Sequence, residues 1–142
     1  STPAPPPPLV PGDLVAWWRV VLVVTWALAV FSYSAVWKTS RELGIGTWWL
    51  GARSDPQPLV VNLVPFAVAI VFGAICSFRV QRLPIITVVG AVLLAAIAVP
   101  DFSRSIGLAV IELVVAGAVL LVGIGSFSGV VRAAEPSEQP PR

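Results

Sequence analysis

Glu112 is the residue best placed to do chemistry, because it is an acid inside a long apolar segment. The segment from Ile106 to Gly129, IGLAVIELVVAGAVLLVGIGSFSG, carries no other charged residue. At about 1.5 Å of rise per residue, Glu112 lies roughly 9 Å along a helix from Ile106. An ionisable group at that depth in a bilayer is costly and faces protein or a water-filled cavity. Glu112 is therefore the first candidate for a functional site.

Other polar side chains are predicted at the membrane depth of Glu112. If four antiparallel helices cross the bilayer, the second and fourth enter from the same side, and the first leaves on that side. Asn62 then lies about one helical turn from that side, and the first helix contributes Ser32, Tyr33 and Ser34 at a similar depth. We expect these residues and Glu112 to form one intramembrane polar cluster.

Three roles are open for Glu112. It can hold helices together, through a hydrogen bond to Asn62 or an ion pair with Arg104. It can instead face a basic residue of a partner protein. As a third role, it can bind a cation, relay a proton or contact a lipid headgroup, with Asn62 and Tyr33 orienting it. Interhelical hydrogen bonds in membranes average below about 1 kcal/mol, yet one such bond can fix the register of two helices.

The sequence predicts neither an enzyme nor a cofactor or metal site. It contains no histidine, the commonest metal ligand and general base, and a single cysteine, Cys76. It also lacks a Gly-x-Ser-x-Gly elbow and a phosphate-binding P-loop. The formal net charge of +2 is small and dispersed, which does not favour binding to nucleic acid.

Composition predicts an all-α integral membrane protein that forms a four-transmembrane-helix antiparallel bundle. The 142 residues are 57% hydrophobic and only 11% charged, far from the average soluble domain. Each span must be helical, because lipid cannot satisfy backbone polar groups. The membrane domain covers residues 13–131, between disordered Pro-rich tails at 1–12 and 132–142. The predicted spans are 14–37, 59–78, 83–99 and 106–129.

Six large apolar residues are predicted to lie at an interface with lipid or with a partner. They are Trp17, Trp18, Trp37, Trp48, Trp49 and Leu50. Tryptophan is enriched at membrane–water interfaces and at protein interfaces alike, so both alternatives stay open. The stretch from Trp48 to Leu50 is too apolar for free solvent and too short to span a bilayer. We expect it at the membrane surface or beneath a partner subunit.

Small residues at regular spacing predict close packing between helices. The candidates are Ala69, Gly73 and Ser77 in the second span and Gly117, Gly125 and Gly129 in the fourth. Between the third and fourth spans, Pro100 breaks the helix. Asp101 or Ser103 is then expected to cap the fourth helix, since both residue types accept hydrogen bonds from the first backbone N–H groups.

The protein is expected in the plasma (inner) membrane, and its basic residues favour an orientation with both termini in the cytoplasm. Four spans place both termini and the turn at 79–82 on one side of the membrane. Arg79, Arg82 and Arg132 lie closest to the membrane there, and basic residues near membrane ends concentrate on the cytoplasmic side.

The run from Arg41 to Phe66, RELGIGTWWLGARSDPQPLVVNLVPF, and the preceding VAWWRVVLVVTWALAVFSYS resemble a group of small four-span membrane proteins of actinobacteria. The resemblance covers residues 14–130 and rests on a distinctive loop. Within the group, the chain is similar to the mycobacterial lipid-uptake coordinators, accessory subunits of Mce lipid transporters. This resemblance implies a non-catalytic subunit bound to the permease helices, and the group has no catalytic residue to assign to this chain. The alternatives are an accessory subunit of a respiratory complex, or a small homo-oligomeric transporter or proton-coupled carrier that uses Glu112.

Overall fold

The computed structural model describes residues 2–6, 8 and 10–132, and most of these residues are helical. The helices are α1 (Ala16–Leu43), α2 (Leu59–Asn62), α3 (Val64–Ser77), α4 (Leu83–Ala98) and α5 (Ile106–Ser126). Short 3-10 helices follow α4, at Val99–Ser103, and α5, at Phe127–Gly129. The loop after α1 contains a two-stranded antiparallel hairpin of β1 (Gly51–Ala52) and β2 (Asp55–Pro56). The predicted disorder of residues 133–142, and of residues 1, 7 and 9, lies outside the described residues.

Three helical segments are long and apolar enough to cross a membrane: Ala16–Leu43, Leu83–Ser103 and Ile106–Gly129. The predicted second span is instead broken at Leu63, where α2 ends and the 14-residue α3 begins. Pro65 lies in the first turn of α3, where its missing N–H leaves no helical bond unmade. The described residues therefore form a mostly helical bundle with three candidate membrane spans.

The four longer helices pack in a ring, because each contacts two neighbours. α1 packs against α3 and α5, and α4 packs against the same two helices. Trp26 of α1 is buried inside this ring and stacks on Phe72 of α3, with ring centroids 5.4 Å apart. Gly90 of α4 makes room for both rings, since a Cβ there would lie 2.6 Å from Trp26 and 2.8 Å from Phe72.

The start of α1 and the end of α5 are joined at one end of the bundle. Leu14 pairs with Val130 in an isolated antiparallel bridge, and backbone hydrogen bonds of 3.0 and 2.8 Å flank the pair. We call residues 12–15 and 129–131 the terminal clasp. The turn between α3 and α4 lies at the same end, because Arg79 pairs with Asp13 at 3.5 Å.

Candidate functional site

Glu112 lies on α5, and its side chain is fully buried. Its Oε1 atom accepts a hydrogen bond of 2.7 Å from the indole Nε1 of Trp49, which is also fully buried. The donor is therefore a residue of the α1–α2 loop, and neither Asn62 nor Arg104 forms the bond that the sequence suggested. A buried carboxyl without such a donor would bear the full cost of leaving water.

Asp101 is a second buried acid of the site, and the sequence indicated only a capping role for it. It lies in the 3-10 helix after α4, and its Oδ1 atom accepts a 2.6 Å hydrogen bond from the backbone N–H of Trp48. The expected cap is wrong: α5 begins after Ser105, and no side chain caps it. The sequence did contain a signal for the buried role of this acid. Asp101 follows Pro100 at the end of the uncharged third span, and the predicted topology places that end on the same side as the loop after the first span.

The carboxyl groups of Asp101 and Glu112 are neighbours. The second oxygen of each, Oδ2 and Oε2, is buried and has no hydrogen-bond partner among the described residues. Two neighbouring carboxylates repel each other when both are ionised, and a proton held between them would supply the missing donor. We call Asp101, Glu112, Trp48 and Trp49 the acid–tryptophan cluster.

Trp48 also fastens the loop to the end of α4. Its indole Nε1 donates a 2.7 Å hydrogen bond to the carbonyl oxygen of Ile97. The last carbonyls of a helix have no partner within the helix, so this bond satisfies an acceptor that the end of α4 leaves open. Trp48 and Trp49 together hold the loop to α4, to the 3-10 helix and to α5.

Aromatic rings enclose the indole of Trp49. Tyr33, Trp37 and Phe66 meet it at centroid distances of 5.9, 6.3 and 6.0 Å, each close to edge-on. This edge-to-face geometry is the one that aromatic quadrupoles favour. The rings come from α1 and α3, so the indole that binds Glu112 is positioned by helices other than α5.

The predicted polar cluster is brought together only in part. Tyr33 packs beside Trp49, and its buried hydroxyl has no hydrogen-bond partner among the described residues. Ser32 and Ser34 instead donate to carbonyl oxygens of their own helix, at 2.8 and 2.9 Å. Asn62 is buried, and its Oδ1 has no partner in the described part of the chain.

Two of the residues predicted at an interface lie within the chain's own core. Trp49 is 0% exposed and Leu50 is 1% exposed, so neither offers a surface to lipid or to a partner in this monomer. The loop buries them because it folds back over the ends of α4 and α5. The other four lie nearer the surface: Trp17 is exposed, and Trp18, Trp37 and Trp48 are half-buried.

Close packing occurs at some of the predicted small residues. A Cβ at Gly129 would lie 2.0 Å from Trp18, and one at Gly73 would lie 3.1 Å from Trp26. Gly117 has open space around it, with no atom within 4 Å of an added Cβ. Ala69 is buried, Ser77 is exposed, and Gly125 would make ordinary contact with Trp18.

A groove of about 310 Å³ separates α1 from α5 on the outside of the bundle. Its α1 side presents Ser32, Ala35 and Thr39, and its α5 side is apolar and includes Val110 and Val114. The acid–tryptophan cluster does not line this groove. Within the described residues, no group of three or more His, Cys, Asp or Glu side chains is placed to hold a metal ion.

The fold and site define a helical bundle with candidate membrane spans, in which a loop is fastened to a buried pair of acids. Comparison with protein-family models, with curated proteins and with solved structures found no match to this chain. The resemblance of Arg41–Phe66 to actinobacterial four-span proteins therefore stays a prediction.

Proposed function

We propose that this chain is a four-span protein of the plasma membrane that serves as a non-catalytic accessory subunit of a larger membrane complex. The fourth span is the segment of α2, Leu63 and α3, which extends about 28 Å if its parts are coaxial. A hydrocarbon core is about 30 Å thick. The terminal clasp supports an even number of crossings, because it holds the start of α1 beside the end of α5. Both ends then lie on one side of the membrane, and the basic residues Arg79, Arg82 and Arg132 at that end favour the cytoplasm.

The hydrogen bond between Trp49 and Glu112 is the observation that carries this proposal. It commits the intramembrane acid to fastening a loop, which is a structural task. Asp101 is committed in the same way through the backbone of Trp48. A chain whose buried acids serve its own fold, with little mass outside the helices, is better suited to binding a partner than to moving a substrate.

The groove between α1 and α5 is the surface that we assign to the partner, and its occupant is an apolar membrane helix. Ala35 is exposed in the groove, between the half-buried Ser32 and Thr39. Small and hydroxyl residues let a second helix approach closely in a bilayer. The resemblance of Arg41–Phe66 favours the permease of an Mce-type lipid transporter as the source of that helix.

A proton-coupled carrier is the second candidate function. Four buried oxygen atoms without hydrogen-bond partners among the described residues favour it: Tyr33 OH, Asn62 Oδ1, Asp101 Oδ2 and Glu112 Oε2. Buried acceptors of this kind can bind a proton or a water molecule. Glu112→Gln separates the two functions in a transport assay. An accessory subunit should retain transport, and a proton carrier should lose it.

Affinity purification from native membranes in a mild detergent tests the accessory role. We expect permease and substrate-binding subunits to co-purify in stoichiometric amounts, as identified by mass spectrometry. Oxidase subunits would assign the chain to a respiratory complex. A homo-oligomer without other subunits would overturn the proposal.

A pair of substitutions tests the groove itself. Ala35→Trp places a large ring in the groove and should remove the co-purifying subunits. Ala74→Trp is the matched control, because Ala74 is exposed on α3 and lies outside this groove. Equal recovery of the partner with both variants would exclude the groove as the binding surface.

A further inference from the structure

An apolar cavity with two arginines at its margin lies at the end of the bundle that holds the terminal clasp. Its volume is about 370 Å³. The apolar part comes from Pro84 and Ile85 at the start of α4 and from Phe127 and Val130 after α5. The arginines are Arg82 and Arg132. The cavity therefore combines positive charge with an apolar surface, at an end of the membrane helices.

Arg82 is held in a conformation that L-residues rarely adopt. It is the one non-glycine residue with positive φ in the described part of the chain, with φ 64° and ψ 30°. Leu83 and Pro84 after it are buried, and the carbonyl of Arg82 accepts a 3.1 Å hydrogen bond from Ile86 N. Backbone strain of this kind is concentrated at functional sites. The backbone conformation therefore marks Arg82 as a candidate functional residue, independently of the cavity.

The terminal clasp brings Arg132 to the same cavity. The N–H of Gly12 donates a 2.9 Å hydrogen bond to Val131, next to the bridge between Leu14 and Val130. Neither Arg82 nor Arg132 forms an ion pair with a described acid. Asp13 is the described acid at this end, and it pairs with Arg79.

We propose that this cavity binds an anionic phospholipid, with the phosphate between Arg82 and Arg132 and the first part of an acyl chain along Ile85 and Phe127. Guanidinium groups bind phosphate through paired, charge-assisted hydrogen bonds. Basic residues next to membrane spans are attracted to the anionic lipids of the cytoplasmic leaflet. The inference rests on the membrane placement in the proposed function, and it does not depend on the identity of a partner complex.

Native mass spectrometry of the purified chain with phosphatidylglycerol or phosphatidylcholine tests the proposal. We expect the chain to retain phosphatidylglycerol in preference to phosphatidylcholine. Arg82→Gln with Arg132→Gln should lower that retention by about tenfold or more, as expected for two lost charge-assisted contacts. Arg41→Gln with Arg53→Gln is the control, because it removes the same charge at the other end of the bundle and should leave retention unchanged.

The variant Arg82→Gly distinguishes loss of lipid binding from misfolding. Glycine adopts positive φ without strain, so this variant should keep the unfolding temperature of the wild type and still lose lipid. Equal retention by wild type and by the double glutamine variant would overturn the proposal, as would equal binding of the two lipids. Displacement of the lipid by inorganic phosphate alone would identify a site for free anions and would also overturn it. Failure of the wild-type chain to bind phosphatidylglycerol, while that chain inserts with the proposed topology, would refute this inference alone.

Discussion

The indole N–H of Trp49 donates a 2.7 Å hydrogen bond to Oε1 of Glu112, across 63 residues of sequence. Both side chains are fully buried, so water cannot replace either partner if the other is lost. The bond connects the loop after α1 to the second turn of α5. The predictions that follow concern this connection first, and then the packing and topology of the bundle.

Trp49→Phe should destabilise the protein by about 2–4 kcal/mol, because it removes the donor to Glu112 and part of a buried ring. The free energy of unfolding can be measured in detergent by circular dichroism. Trp17→Phe is the matched control: Trp17 is 60% exposed, and its replacement should change stability by about 0.5 kcal/mol or less. Equal unfolding curves for the two variants would contradict the importance of this bond.

Glu112→Gln should preserve most of the stability that Glu112→Ala loses. The amide oxygen of glutamine can still accept from Trp49, and its NH₂ group can donate to the neighbouring Asp101. We expect a change of about 1 kcal/mol or less for the glutamine variant and a loss of about 2–4 kcal/mol for the alanine variant. Unfolding in the same detergent checks the order. A glutamine variant as unstable as the alanine variant would count against a shared proton between the acids.

Gly90→Ala should destabilise the bundle by about 1–3 kcal/mol, because the added methyl overlaps buried rings. Trp26 and Phe72 would lie 2.6 and 2.8 Å from the new Cβ. Gly117→Ala is the control within a helix, since no atom lies within 4 Å of its Cβ position. Alanine there should be neutral, or stabilising by up to about 1 kcal/mol through helix propensity. Gly90→Ala should therefore lower the unfolding temperature, whereas Gly117→Ala should leave it unchanged or raise it.

Leu14→Cys with Val130→Cys should form a disulfide on mild oxidation in a Cys76→Ser background. The flanking hydrogen bonds make this a non-hydrogen-bonded antiparallel pair, with Cα atoms expected about 4.5 Å apart, within disulfide range. A shift on a non-reducing gel detects the cross-link. Leu14→Cys with Ile106→Cys should not react, because Ile106 lies at the opposite end of α5. Cross-linking of both pairs to the same extent would argue against the terminal clasp.

The four-span topology predicts opposite accessibility for two exposed positions. Ser54 lies in the β1–β2 turn and Gln81 in the turn before α4. In a Cys76→Ser background, Ser54→Cys should react with a membrane-impermeant thiol reagent added to intact cells, whereas Gln81→Cys should react only after the cells are opened. Labelling of both positions from the same side would show that α2 and α3 do not cross the bilayer.

The sequence was informative about the helices and about Glu112. Long apolar runs, uncharged in α4 and with Glu112 as the single charge in α5, predicted both helices closely, because segment length and hydropathy are local properties. The second predicted span was less well defined. Asn62 is the one strongly polar residue in that run, which the sequence predicted as a single span. The helix instead breaks at Leu63, two residues before a proline in the first turn of α3.

The sequence did not predict which residue forms a hydrogen bond with Glu112. A pair of tryptophans in a loop has the same local pattern whether it meets lipid, another protein or its own core, so tertiary contact alone decides. Asp101 shows the same difficulty. Its position after Pro100 predicts a helix cap by a short-range rule, but the hydrogen bond from Trp48 spans 53 residues and takes that carboxyl instead.

The terminal clasp also fixes an order of events during synthesis. Leu14 is among the first residues of the membrane domain to leave the ribosome, and its bridge partner Val130 is among the last. The segment before α1 therefore has no bridge partner until α5 has been synthesised. Trp49, in contrast, is already present when Glu112 is synthesised. Glu112 is therefore synthesised after its hydrogen-bond donor, whereas the clasp can close only once Val130 has been made.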